Sequence, residues 1–517
     1  MENDTLHFNH LSREELESLL AGSQAESMEL NEALKKALAK IEVMARQITS
    51  LQKMLFGKKS ERYVDDGTPM LPGFVLPEIV KPDAEPTTLV GEHPRKKAEP
   101  HREAGWNGFP ENLPREEVVL DLPEAEKEGL ALIGYDINER LVHRQEYFVK
   151  VIKRAKYAAA EKPELGVVSA DPLPNVLSED SDRAHYDVSV AIHLIYNKFV
   201  NHLPFYRQSE DLKRHGIMIG RSLMSEWAMT TAFLLKPVYS RLVELVMNCP
   251  VIHADETSVR MLEKGKCKRC YIWVRRTGTG PPLTVFYFSL NRNQETAKKI
   301  MGEFLGTYVS DAYVGYAQLP GTRAGCWAHP RREFFEVPVL DDPDRLEALS
   351  LIRLMYMNER YAVEAAAAKQ ESEMALIKAR KMYRKQTRVL VKKYFELCEK
   401  IIGGDLPPSD PLVKAANYSL KQRKALSVFL NNPRVGIDNN PAENTIRPWA
   451  LGRKNWLFVG NERGGEMAAI INSLVMTCKE NKIDFEVWLA DILPQLAKTS
   501  AADIDTLMPH LWKPEHD

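Results

Sequence analysis

Apolar positions along the chain change their period several times, and each change marks an element. Leu30, Leu34, Ala37, Ile41, Met44, Ile48, Leu51 and Leu55 recur in alternating steps of four and three, the spacing of a coiled-coil seam. Glu, Lys and Gln crowd the flanks, as an exposed face needs. The pattern predicts a coiled coil over 12–58 that joins copies of the chain through residues 30–55; one helix packed on its own protein is the alternative. Gly57 stops the pattern, and Lys58, Lys59 and Arg62 form a basic tip. Prolines from Pro69 to Pro100 punctuate residues 59–105 too densely for a helix, so this stretch reads as an extended linker. Residues 106–165 switch to short alternating runs, "EEVVLDL" and "EYFVKVIKRAKYA", the mark of a small β-rich module.

Residues 172–247 return to helical periodicity. In "HGIMIGRS", Gly216 ends one helix and Ser222 caps the next. That punctuation fits a helix-turn-helix with Arg221, Ser222, Ser225 and Trp227 on its second helix, and equally any small helical bundle. From 248 to 338 the pattern is strand, strand, strand, helix, strand: "PVIHADETSVRML", "CYIWVRRTG", "PLTVFYFSL", "NQETAKKIMGEFL" capped by Asn291 or Asn293, and "GTYVSDAYVGY". A meander followed by a helix and a fourth strand is the opening order of a ribonuclease-H-like fold. Asp255 then lies on the first strand and Asp311 near the end of the fourth, and those strands are neighbours in such a sheet. Residues 339–432 read as a long helical stretch, 433–470 carry a further helix, and 471–517 read as C-terminal helices. The fold class is therefore multidomain α+β.

Composition narrows this only slightly. The 517 residues are 44% hydrophobic and 27% charged with a formal net charge of −1, so several folding units are expected and no global field advertises a polyanion. Any nucleic-acid surface must be local. No apolar run approaches the about 18 residues of a membrane span. "MENDTLHFNH" lacks the basic and apolar regions of a secretory signal, and the six cysteines are scattered. A reducing cytoplasm and no membrane partner are the expectation.

The chemistry concentrates in a few places. A carboxylate in an apolar strand is costly unless it is paired or holds a metal, which singles out Asp255. In "GIDNNPAENTIRPWALGRKNWLFVG", Asn439 or Asn440 caps a helix, Pro441 suits its first turn, and Glu443 follows. Glu443 is either a capping-box acid or a third carboxylate facing the first two. Arg447, Arg453 and Lys454 just after it suit a phosphate backbone. Three carboxylates supply oxygen-only donors, which fit Mg²⁺ or Mn²⁺ better than zinc. His253 shares the face of Asp255 and either binds or flanks such an ion. His329, with Arg331 and Arg332 in "CWAHPRREFF", either orients a phosphate or is a packed histidine. Glu256 is expected to face away. Cys267 and Cys270 lack a second ligand pair and read as incidental. A metallohydrolase site from His253, Asp255 and His329, or a glycosidase pair of Asp255 and Glu443, would leave the cations unused.

Together "HADETSVRML", "SDAYVGYAQL", "GCWAHPRREFFE", "DNNPAENTIRPWALGRKNWLFVGNERGGEMAAIINSL" and "NHLPFYRQSEDLKRHG" resemble transposases of insertion sequence family 66, and the likeness covers most of the chain. It implies a DDE transposase that binds the terminal repeats of a mobile element and cuts and joins double-stranded DNA. The core would be ribonuclease-H-like, with 339–432 as a helical insertion and 433–470 as its second part, and with Asp255, Asp311 and Glu443 as catalytic and metal-binding triad. Accessory proteins of the same element are possible partners. Two departures stand out. Ala158 and Ala160 stand where the family carries cysteines, so the module, degenerate zinc-finger-like, is expected to fold without zinc. Asn444 occupies the place of a usual Arg. A copy decayed into a DNA-binding or assembly protein, and a nuclease without strand transfer, are the rivals.

Overall fold

The computed structural model describes residues 12–35 and 109–513, apart from short gaps. The described stretch before residue 36 is helical, whereas most of the heptad seam, the basic tip at Lys58 and Lys59 and the proline-rich linker lie outside the described residues. The chain divides into two compact units. The larger comprises residues 75–326, 364–381 and 425–517; the described core of the other comprises 327–363 and 382–424.

The first sheet of the larger unit has four strands: β1 (Arg115–Leu120), β2 (Leu130–Arg144), β3 (Glu146–Ala159) and β4 (Val167–Ser169). β2 and β3 form a long antiparallel hairpin, while β1 (parallel) and β4 (antiparallel) share the other edge of β3. Leu122, Ala155, Tyr157 and Ala170 make a small core under this sheet, and the Tyr157 hydroxyl donates to Asp121.

Four helices follow: α1 (Val188–Phe199), α2 (Phe205–Arg214), α3 (Arg221–Leu234) and α4 (Lys236–Met247). Gly216 turns the chain after α2 with φ +76°, a conformation open to glycine. Ser222 does not cap α3: Gly220 holds the cap position, and Ser222 sits exposed in the first turn. The turn is set instead by burial of Ile217 and Ile219, each 1% exposed, and by the Ser209 hydroxyl donating to the Ile219 carbonyl at 2.9 Å.

The second sheet contains β5 (Val251–Glu263), β6 (Lys266–Thr277), β7 (Thr284–Ser289), β8 (Thr307–Ser310) and β9 (Thr322–Gly325), in the order β7-β6-β5-β8-β9. The first three are an antiparallel meander; β8 runs parallel to β5, and β9 parallel to β8. α5 (Gln294–Met301) links β7 to β8, and of its two candidate caps Asn293 accepts from the Thr296 amide at 2.9 Å.

The second unit is helical, with α6 (Ala328–Phe335), the greater part of α7 (Pro343–Ala367) and α8 (Glu373–Ile402), and α9 (Pro411–Lys421). A buried Arg384–Glu359 pair at 2.8 Å joins α8 to α7 within it. The chain returns to the sheet with α10 (Asn440–Trp456), α11 (Glu462–Glu480) and α12 (Phe485–Gln495). α10 packs on β5 and β6, and α11 on β7. Edge strand β7 does not leave its outer amides bare. The Phe286 amide donates to Ser473 Oγ at 2.7 Å and the Thr284 amide to Thr477 Oγ1 at 3.2 Å, both on α11. That cover answers the pairing hazard of a free edge. Among the described residues no helix is long and apolar enough to cross a membrane.

Candidate functional site

The site grows from the register of two parallel strands. β5 and β8 pair Val251 with Thr307, Ile252 with Tyr308 and His253 with Val309. Continued two residues further, that register sets Asp255 opposite Asp311, which follows directly on β8. Asp255 Oδ1 accepts from the Glu256 amide at 2.8 Å, and Asp311 Oδ1 from the Tyr313 amide at 3.0 Å. Arg323 on β9 donates to the Asp311 carbonyl at 2.8 Å and fixes the chain there.

Burial raises the Asp255 carboxyl well above the usual carboxylate range, and the charges of Glu256, Asp311 and Glu443 push it the same way. The two aspartates and Glu443 are thus brought into one electrostatic neighbourhood.

Glu443 is carried by the first turn of α10, and the position of that turn is fixed by Asn439. Asn439 occupies the cap position, but its side chain makes no capping bond. Instead its Nδ2 donates to the Ala254 carbonyl at 2.9 Å, and its Oδ1 lies 3.0 Å from His253 Nδ1. Asn439 is 1% exposed, so these bonds are made away from water and pin the start of α10 to the residue before Asp255. His253 is therefore engaged with Asn439, and burial pulls its pKa down to about 4. It is a neutral imidazole at ordinary pH.

Glu256, expected from alternation along β5 to face away, has close partners of its own. Its carboxylate accepts from Tyr316 Oη at 2.6 Å and from Arg292 Nε at 2.8 Å. Arg292 also stacks over Tyr313 at 3.9 Å. Burial raises the Glu256 carboxyl, while Tyr316 and Arg292 oppose that rise. Alternation along β5 locates its face but does not reveal that Arg292 and Tyr316 come to meet it.

The cations expected to meet DNA divide into two kinds. Arg447 and Lys454 stand exposed on α10, and Arg221 is exposed at the start of α3. Arg453 is turned inward: its Nη1 donates to Thr257 Oγ1 at 3.1 Å and the Ser258 carbonyl at 2.6 Å. It fastens α10 to β5. His329, Arg331 and Arg332 lie half-buried on α6, in the helical unit, where Arg331 stacks over Phe335 at 5.3 Å. Cys267 is exposed and Cys270 buried, so the two thiols do not face one ligand. Elsewhere, His143, His193 and Glu486 offer ligand atoms within 4.8 Å of one another. Both ring nitrogens of His193 are already engaged, by Glu486 and Asn197, each at 2.8 Å.

The fold and site define a multidomain protein whose mixed sheet gathers acidic side chains where the parallel strands β5 and β8 run side by side. Residues 183–467 match the family described as Transposase IS66 family, residues 473–510 the IS66 C-terminal element, and residues 44–118 the family described as Transposase C of IS166 homeodomain. The chain belongs to the IS66 transposase family. Among its relatives in Sinorhizobium fredii, the uncharacterized protein y4jD is 31% identical over 434 residues, covering 78% of this chain and 82% of the relative. The uncharacterized protein y4qI is 29% identical over 530 residues, covering 96% and 94%.

Proposed function

We propose that this protein is a DDE transposase that binds the terminal inverted repeats of an insertion sequence, cuts the DNA strands there and joins them to target DNA. The observation that carries the reading is the β5–β8 register, which sets Asp255 opposite Asp311 with the charge of Glu443 felt at the same carboxyl. The strand order β7-β6-β5-β8-β9 is read as a ribonuclease-H-like core, and 339–432 as an insertion within it. Family membership supports the DNA substrate.

Asp255, Asp311 and Glu443 would hold divalent cations. Their oxygen-only donors suit hard Mg²⁺ or Mn²⁺, and the excess negative charge at Asp255 is what a bound cation would relieve. When bound, such ions activate the attacking oxygen and stabilise the leaving one in an in-line displacement at phosphorus. The chain's own part is positional. Asn439 holds α10, and so Glu443, to β5; Arg453 fastens the same helix one face further along; Arg292 and Tyr316 keep Glu256 engaged. Arg447 and Lys454 on α10 would lie along the phosphate backbone, and α2 and α3 would form the helix-turn-helix contact.

The test uses full-length protein, Mg²⁺ and duplexes ending in the element's own terminal repeat, already cut at the 3′ end. Each joining event replaces one target phosphodiester by another, with the 3′-hydroxyl attacking and a target 3′-oxygen leaving. Wild type should give joined products and Asp255→Ala none. Cutting of uncut ends without any joining would reduce the assignment to a nuclease.

A further inference from the structure

A cavity of about 190 Å³ opens where α1, α2 and α3 meet the end of α10 and the start of α11, away from the carboxylates. Its lining combines three chemistries. Trp456 and Phe458 give it an aromatic wall, with Trp449 edge-on to Trp456 at 5.8 Å. Lys198 gives it a positive end. The ammonium lies 4.3 Å over the Phe205 ring and 5.7 Å over Phe199, and it has no carboxylate partner among the described residues. Burial pulls its pKa down to about 8. Asn461 and Gly464, at the amino end of α11, line the same space; the Gly464 amide already donates to Asn461 Oδ1 at 2.8 Å, so what this end offers an anion is the helix dipole.

The third element is an acceptor. Asn472 is 8% exposed and lines the cavity. Its Nδ2 donates to the Ala468 carbonyl at 2.7 Å, while its Oδ1 meets no protein donor among the described residues. With no protein donor on it, that oxygen is left to accept from a ligand in the cavity. The backbone here is also held in an unusual state. His202 and Leu457, which line or adjoin the cavity, have φ of +57° and +67°, and such strain outside glycine gathers at ligand sites.

A flat aromatic wall, an unpaired cation beside a helix amino end, and a lone acceptor together suit a planar heterocycle joined to a phosphate. Arg221 stands exposed on α3 one turn before Ser225, which lines the cavity, so a DNA backbone held at the start of α3 would pass this opening. We propose that the cavity receives a single nucleotide turned out of the DNA duplex, its base against Trp456 and Phe458 and its phosphate toward Lys198 and the amino end of α11. This rests on the reading of the protein as one that binds DNA. Base–aromatic stacking is worth enough to offset much of the cost of unstacking one nucleotide.

The test measures binding of full-length protein to two duplexes, one with a single unpaired 2-aminopurine at its centre and one with the same base paired. Wild type should bind the unpaired probe roughly tenfold more tightly and quench its fluorescence. Lys198→Met, which keeps the stem over Phe205, and Trp456→Ala should each shrink that preference to about twofold or less. Asn472→Ala should lower it in the same direction. Equal binding of both duplexes by wild type overturns the proposal while leaving the DNA reading intact. So does a preference that survives in both Lys198→Met and Trp456→Ala. Binding of neither duplex overturns the DNA reading along with it. Deoxyadenosine monophosphate competing as strongly as the unpaired duplex would mark a free-nucleotide site and refute the DNA source.

Discussion

Asp255 occupies a position that penalises its own charge, and this has a consequence for stability. Its pKa is raised in the fold, so its favourable contribution is full below the ordinary aspartate value of about 4 and is lost as pH rises through the folded value. Asp255→Asn should therefore unfold at a higher temperature than wild type at pH 7 in chelator. The gap should close as pH falls below about 4, and Mg²⁺ should stabilise wild type more than the variant. A lower unfolding temperature for Asp255→Asn in chelator would contradict the electrostatics described. Asn439 makes a second prediction. Asn439→Ala removes that residue's two bonds to β5 while leaving those of Arg453, so cleavage should fall at least roughly tenfold with the circular dichroism spectrum retained. Activity equal to wild type would show that Glu443 is placed by other contacts. These residues differ in how far sequence reveals them. Period-two alternation and strand order single out Asp255 and Asp311, and the helix-start chemistry of "DNNPAEN" singles out Glu443. The role of Asn439 is hidden because a capping asparagine and one bonded across to a strand look identical in sequence. Arg453 reads as a DNA contact for a related reason: spacing along a helix does not say that one arginine turns back onto the sheet.

At the scale of elements, α11 does two jobs for β7. It supplies the hydroxyls that satisfy the strand's outer amides, and it lies close enough that a Cβ on Gly465 would come 2.5 Å from the Phe288 ring. Ser473→Ala leaves the Phe286 amide buried without its acceptor, a loss of about 1–3 kcal/mol. Faster hydrogen exchange at Phe286 and a lower unfolding temperature should follow. Gly465→Val should destabilise through overpacking by a similar amount, about 1–3 kcal/mol; no change in either variant would contradict the packing. The strands themselves were legible because β5, β6 and β7 are rich in Val, Ile, Phe, Tyr and Trp and are separated by glycine or proline turns. The start of α3 was not. Ser222 carries a strong capping signature, but burial of Ile217 and Ile219 governs where the helix begins, and burial depends on partners distant in sequence.

For the whole molecule, a net charge of −1 means that DNA affinity has to come from local cations, proposed to be those on α10 and α3, so binding should weaken steeply with added salt. The heptad seam of residues 30–55 is the proposed means of self-association. Deleting residues 1–56 should lower the mass measured by light scattering to that of a smaller assembly, whereas an unchanged mass would leave the seam without that role. The central claim is that Asp255, Asp311 and Glu443 act as one catalytic set, and strand cleavage measures it most directly. Full-length protein with Mg²⁺ should cut duplexes bearing the element's terminal repeats. Asp255→Asn, Asp311→Asn and Glu443→Gln should each reduce cutting to background while still binding the DNA. Cutting at the wild-type rate by any one of the three would contradict it.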